Sequence, residues 1–262
     1  MKINEITAAI EEHAPLDYQE SYDNCGMQVG DSTQEIKGIL ITLDITEEVV
    51  EEAIRKKCNL IISHHPLIFK GQKKICGRTS TERCIIQAIK NDIAIYSSHT
   101  CMDKAAKGVS AKMAEKLGLQ DIRPLETETQ GGEEIGLGVI ATLPQEEDAM
   151  DFLKRVKTIF QVGCIRHTHV EPDKKVKRIA LCGGSAFEFA ETAIRKKADI
   201  YLTADVKYHQ FFDTEGRIIL ADIGHFESEQ YTKEIFYGII SKINPKFAVY
   251  ISESKTNPIN YL

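Results

Sequence analysis

The block Ala53-Ile54-Arg55-Lys56-Lys57 occurs again as Ala193-Ile194-Arg195-Lys196-Lys197, 140 positions further along the chain. At that same offset Leu60-Ile61-Ile62-Ser63 falls on Ile200-Tyr201-Leu202-Thr203, and Gly38-Ile39-Leu40-Ile41 falls on Arg178-Ile179-Ala180-Leu181. A shared helix tail flanked on both sides by matching apolar runs constrains the fold more than any single motif. It predicts two strand–helix–strand units related by duplication. Two generic units with similar helix ends is the plainer explanation.

Periodicity along the chain has the alternation of an α/β protein. Helices are predicted over 3–13, from Thr46 onward, and over 81–90, 104–118 (stopped by Gly118), 146–159, 187–197 and 226–241. Strands are predicted over 36–43, 59–63, 92–97, 134–142, 178–182, 199–203, 217–222 and 247–252. The polar, turn-rich stretch 126–133 is the clearest place for two units to separate. The expected division is a first domain of 1–125 plus 225–262, carrying most of the candidate ligands, and a second of 126–224.

Lys and Arg number 33 against 39 Asp and Glu, for a net charge of −6. A mildly acidic surface disfavours nucleic-acid binding and membrane-surface binding, both of which call for a basic face. The sequence contains no apolar run long enough to span a bilayer. The opening stretch MKINEITAAIEEHAPL has acids where a signal peptide has an apolar block. Seven cysteines without CxxC spacing suit a reducing compartment. The expected location is the cytoplasm.

Chemistry collects at strand ends, the edge where ligands bind in open α/β sheets. Ser63-His64-His65-Pro66 follows one strand, and adjacent imidazoles there point apart, which suits two neighbouring ions. His99-Thr100-Cys101-Met102-Asp103 follows another, pairing imidazole with carboxylate. His225 and Glu229, at i and i+4, share a helix face after Asp222. Each has an ordinary reading: polar loop residues, a small buried cysteine between Thr and Met, acids favoured in a helix's first turn. Taken together, His64, His65, Asp103, His225 and Glu229 form a ligand set for two divalent ions, which can activate water for hydrolysis.

Weaker features accompany them. Cys182-Gly183-Gly184-Ser185 has the form of a phosphate-cradling turn, without the spacing of a P-loop. Asp205-Val206-Lys207-Tyr208-His209 occupies the offset position of His65 and is read either as substrate contacts or as a solvated loop. His13 closes a helix, and His167 and His169 alternate on a surface strand.

YDNCGMQVG (22–30), SHHPLIF (63–69), SSHTCMD (97–103), CGGSA (182–186), TADVKYH (203–209), DIGHFESE (222–229) and KTNPINYL (255–262) together resemble the GTP cyclohydrolase 1 type 2 homologues, the Nif-three-like family. The likeness runs through nearly the whole chain in order. It implies two similar, intertwined three-layer α/β domains, assembled as a toroidal homohexamer (a trimer of dimers) with dinuclear sites facing inward. It also implies that His65 and Asp103 hold one ion, His64 and His225 the other, with Glu229 bridging and His99 nearby. The ions would be zinc, iron or manganese. Cys101-Met102 stand where the family usually has Asn-Leu, and 126–180 is too short for the PII-like insert of some members, so this is the compact form.

The reading that follows is a metal-dependent hydrolase acting on a nucleotide or pterin-like substrate, GTP in its specific version. His99 would be the proton shuttle, since imidazole titrates near neutral pH. The alternative is a non-catalytic metal-binding oligomer serving as a chaperone or regulator. An open coordination position would separate the two.

Overall fold

The computed structural model describes residues 1–130, 132–243 and 246–262. Contacts divide them into two compact units, Met1–Met102 with Thr232–Pro258, and Asp103–Tyr231 with Ile259–Leu262. The chain therefore parts after Met102 and Tyr231 rather than at 125/126 and 224/225. Residues Glu128–Gln130 and Glu133–Ile135 pair as a short antiparallel hairpin instead, and Gly131 lies outside the described residues. The candidate ligands split accordingly: His64, His65 and His99 belong to the first unit, and Asp103, His225 and Glu229 to the second.

In chain order the elements are α1 (Ile3–His13), β1 (Gly26–Val29), β2 (Gly38–Thr42), α2 (Glu47–Arg55), β3 (Leu60–Ser63), α3 (Ser80–Lys90), β4 (Ala94–Ser97) and α4 (Thr100–Lys104). Then come α5 (Val109–Lys116), β5 (Gln120–Pro124), β6 (Glu128–Gln130), β7 (Glu133–Ile135), β8 (Val139–Asp148), α6 (Ala149–Ile159), β9 (Arg166–His167) and β10 (Lys175–Ser185). The last are α7 (Ala190–Arg195), β11 (Ile200–Ala204), α8 (Gln210–Asp213), β12 (Ile219–Asp222), α9 (His225–Glu229), α10 (Thr232–Lys242) and β13 (Ala248–Ile251). Among the described residues no helix is long and apolar enough to cross a membrane.

The first unit is built on a five-stranded sheet in the order β1-β4-β3-β2-β13, parallel apart from β1. Strand residues alternate between faces, and both faces are covered. Leu40, Ile61 and Ile95 pack with Val49, Val50 and Ala53 of α2 and with Ile85 and Ala88 of α3. Helices α1 and α10 pack on each other, and α10 also meets β2 and β13. Burial on both faces explains why β2 and β3 read as unbroken apolar runs.

The second unit has a six-stranded mixed sheet, β5-β8-β10-β11-β12-β9, in which β10, β11 and β12 are parallel. Met113 of α5 and Phe152, Leu153 and Val156 of α6 pack against Ile179, Leu181, Ile200 and Leu202. Ala190 and Ala193 of α7 pack with Ala180, Tyr201 and Leu220 on the other side. Each unit is thus three-layered within itself.

Several predicted helices are shorter or broken. The expected helix over 104–118 starts later, as α5 at Val109: the preceding α4 ends at Lys104, whose carbonyl accepts from Gly136 N–H (3.2 Å), and Gly108 then begins α5. The expected helix over 226–241 is two, α9 and α10. Between them Gln230 Nε2 donates to the Phe160 carbonyl (2.8 Å), and the Tyr231 hydroxyl donates to the Ile159 carbonyl (2.5 Å). Residues 146–148 extend β8 rather than opening α6: Glu147 pairs with Val176 and Asp148 with Lys175. The Asp148 carboxylate then caps α6 by accepting from Met150 N–H (2.9 Å). The expected helix over 187–197 is a 3-10 turn followed by α7, and the expected strand over 134–142 is β7 followed by β8.

The 140-residue offset recurs in the local geometry of the two units. In the parallel pairs, Ile39 lies opposite Leu60 and Ile179 opposite Ile200. Lys57 and Lys197 both have left-handed backbone, at φ 57° and 58°. Asn59 Oδ1 accepts from Lys37 N–H (2.7 Å), and Asp199 Oδ2 accepts from Lys177 N–H (2.8 Å).

Candidate metal centre

In the first unit the ends of β3 and β4 bring three imidazoles together. A ring nitrogen from each of His64, His65 and His99 lies within 4.8 Å of the others. Ring centroids stand 4.9 Å apart for His64 and His65, 5.1 Å for His64 and His99, and 5.2 Å for His65 and His99. His64 is fully buried. Pro66 turns the chain away after β3, and the Ser63 hydroxyl donates to the His65 carbonyl (2.8 Å), which fixes the turn.

Behind each imidazole stands an acceptor. His64 Nδ1 donates to the Ser98 carbonyl (3.0 Å), His65 Nδ1 to Asp44 (2.7 Å) and His99 Nδ1 to Asp23 (3.0 Å). A carbonyl or carboxylate can only accept, so the proton sits on Nδ1 and Nε2 carries the lone pair in each neutral ring. Burial works against charge on Asp23. The His99 and Thr100 hydrogen bonds outweigh it and hold the carboxyl well below the usual carboxylate range.

In the second unit α9 sets His225 and Glu229 one turn apart, with His225 Nε2 3.1 Å from Glu229 Oε2. Asp205, just past β11, accepts from His225 Nδ1 at 2.7 Å. Burial alone would lower the His225 pKa. Hydrogen bonds to Asp205 and Glu229 reverse this and raise it to about 11, so the two carboxylates favour positive charge at this point. The Asp103 carboxylate lies within 4.8 Å of that of Glu229. Glu229 is 3% exposed, and a Cβ on Gly184 would come within 2.3 Å of its Oε1.

Gly183 and Gly184 are therefore not a phosphate cradle. They end β10, and their N–H groups are taken by the Ser110 (3.4 Å) and Ser228 (3.0 Å) hydroxyls. The glycines are small so that Glu229 can lie against them. His167 and His169 are exposed, as expected, although only His167 lies on a strand. Cys101 is buried.

Imidazole and carboxylate donors in these groups suit a divalent transition ion. The acceptors behind Nδ1 are the partners that orient ligating histidines, so the residues fit such an ion. Sequence reasoning missed Asp23 and Asp44 and gave Asp205 no role toward His225. They stand 76, 21 and 20 positions from their histidines, so local spacing carries no trace of the pairing. Asp44 and Asp205 do share one signal, a carboxylate just past a strand end.

The sequence matches the family model for Duf34/NIF3 (NGG1p interacting factor 3) over residues 1–258. A protein of Clostridium acetobutylicum named GTP cyclohydrolase 1 type 2 homolog is 32% identical, over 100% of this chain and 99% of that one. One of the same name from Clostridium perfringens is 36% identical over 87% of each. Among solved structures, a Staphylococcus aureus protein superposes with a TM-score of 0.92 at 28% identity, covering 100% of this chain and 99% of that one. A Bacillus cereus protein related to NIF3 does so at 0.89 and 25%, with the same coverage. The chain belongs to the Duf34/NIF3 family.

Proposed function

We propose that the protein binds two divalent metal ions in one dinuclear centre and acts as a hydrolase on a nucleotide or pterin-like substrate. In this reading His65 and Asp103 hold one ion, His64 and His225 the other, and Glu229 bridges them. The observation that carries it is the uniform dressing of the imidazoles, each with Nδ1 committed to an acceptor. Ligating histidines commonly have such partners, which orient the ring and leave Nε2 for the metal. Zinc, iron and manganese all suit this donor set.

When bound, a pair of such ions supplies Lewis-acid polarisation and activates water. The chain's own contribution to proton transfer is His99, whose Nε2 takes or gives the proton while Asp23 holds Nδ1. An imidazole backed by a buried carboxylate keeps its tautomer and orientation through the transfer. The name of the Clostridium relatives points to GTP ring opening, with formate as the leaving fragment. Assembly as a toroidal hexamer belongs to the same proposal, and sedimentation velocity should then give a species of six chains.

The test is metal analysis of the purified protein, followed by incubation with GTP and a formate assay. Two ions per chain are expected, with most metal lost in Glu229→Ala. Full metal content in that variant would remove the bridging role. Metal-loaded protein that releases no formate, and whose ions have no exchangeable water, would instead favour a non-catalytic regulator or chaperone.

A further inference from the structure

A second feature of the first unit adjoins the imidazoles. Tyr22 and Phe69 are 63% and 42% exposed, a large aromatic area to leave in water. Their ring centroids are 6.5 Å apart, and Phe69 meets His99 edge-on at 6.2 Å. The pair is held deliberately. Asn24 Nδ2 donates to the Ile68 carbonyl (2.6 Å), and Ile68 N–H donates to Gln28 Oε1 (3.2 Å), so the segment around Tyr22 pins the one around Phe69.

Phe69 leads directly into residues 70–78, KGQKKICGR, with four cations and no acid in a chain of net charge −6. Lys70, Lys73, Lys74 and Arg78 are all exposed. The loop is anchored at its far end, where Glu82 Oε2 accepts from Cys76 N–H (2.7 Å) and Arg78 N–H (3.0 Å). Aromatic faces beside a proton-carrying imidazole suit a planar heteroaromatic ring, because every such ring has a π-face to stack. A run of cations beginning at the next residue suits an anionic chain attached to that ring.

We infer that Tyr22 and Phe69 form the ring-stacking part, and loop 70–78 the phosphate-binding part, of a subsite for a nucleoside polyphosphate. The inference rests on the metal-centre reading, which makes this the edge of the reactive site, and it narrows the substrate class from nucleotide or pterin to phosphorylated nucleotide. Neither part reads the hydrogen-bonding edge of a base, so GTP and ATP should both bind.

Calorimetric titration of the full, zinc-loaded chain tests it. GTP and ATP should bind more tightly than guanosine or tripolyphosphate alone. Tyr22→Ala and Phe69→Ala should each weaken GTP and guanosine roughly tenfold without changing metal content, and Tyr22→Phe and Phe69→Tyr should bind as the parent does. The triple change Lys70→Gln, Lys73→Gln, Lys74→Gln should weaken GTP and tripolyphosphate, spare guanosine and flatten the salt dependence. Because Tyr22 is exposed, its variant keeps the test decisive if Phe69→Ala fails to fold. GTP affinity within twofold of the parent in Tyr22→Ala, guanosine binding as tightly as GTP, or binding of single-stranded oligonucleotides alone would each overturn the inference. A chain that takes up no zinc yet binds GTP through Tyr22 sinks the metal reading and leaves this one. A loaded chain that binds no nucleotide does the reverse.

Discussion

A histidine whose Nδ1 proton is claimed by a carboxylate has one ring orientation and one nitrogen left for coordination. Asp44 behind His65 and Asp205 behind His225 hold those rings at 2.7 Å in each case. Their replacement by alanine should leave the ligands present but poorly aimed. Metal affinity in Asp44→Ala and Asp205→Ala is expected to fall by roughly 10–100-fold, measured by competition with a chromogenic chelator. Unchanged affinity in both would mean that the acceptors are ordinary hydrogen-bond partners. Gly184 tests the other side of the site. Its φ is +67° and an added Cβ would sit 2.3 Å from Glu229 Oε1. Gly184→Ala should therefore cost about 1–3 kcal/mol of stability and push the carboxylate away. A lowered urea midpoint together with lost metal is expected; loss of stability with full metal content would break the link to Glu229.

Among the elements, α2 shows what sequence could and could not reveal. Its start was legible: Thr46 caps it, accepting from Val49 N–H, with acids in the first turn. Its end was legible only as a repeat. Lys57 N–H donates to Ile54 O and Cys58 N–H to Ala53 O, and the same pair of bonds recurs at Lys197 and Ala198. Both lysines occupy the left-handed position that usually belongs to glycine. Lys57→Gly and Lys197→Gly should accordingly shift stability in the same direction and by a similar amount, within about 1 kcal/mol; opposite signs would argue against a shared origin by duplication. What no local pattern reveals is the grip of α2 on the segment after β13. Glu52 accepts from Ser252 Oγ (2.6 Å), Ser254 Oγ (2.7 Å) and Glu253 N–H (3.1 Å), and pairs with Lys56 at 2.8 Å. Burial pushes its pKa up, but these bonds prevail and bring it down from 4.5 to about 2. A folded-state pKa below the unfolded one stabilises the fold above about pH 4.5, and that stabilisation is lost as pH falls toward 2. Glu52→Gln should cost about 1–3 kcal/mol near pH 7, with the gap from the parent narrowing below about pH 4.5 and closing only as pH approaches 2. A gap independent of pH would assign the effect to packing alone.

For the whole molecule, the two α/β units and most strands were readable because burial on both faces of a sheet writes itself as apolar runs. The late start and the break in predicted helices were not, because distant partners stand at those points: Gly136 for the Lys104 carbonyl, Phe160 and Ile159 for Gln230 and Tyr231. The candidate ligands were legible as types at strand ends, but their allocation to units was not, and the proposed centre draws on both sets. That has a thermodynamic consequence. An ion bound only by the folded chain stabilises it by about 2.7 kcal/mol at a hundredfold excess over Kd, which for a chain of this size raises the melting temperature by about 5–11 °C. If Glu229 bridges two ions, Glu229→Ala should abolish the whole metal-dependent rise, whereas His65→Ala should remove only the part due to its own ion. Differential scanning calorimetry with saturating zinc and with chelator, on the parent and both variants, measures these increments. Equal partial losses in the two variants would mean two independent sites rather than one centre.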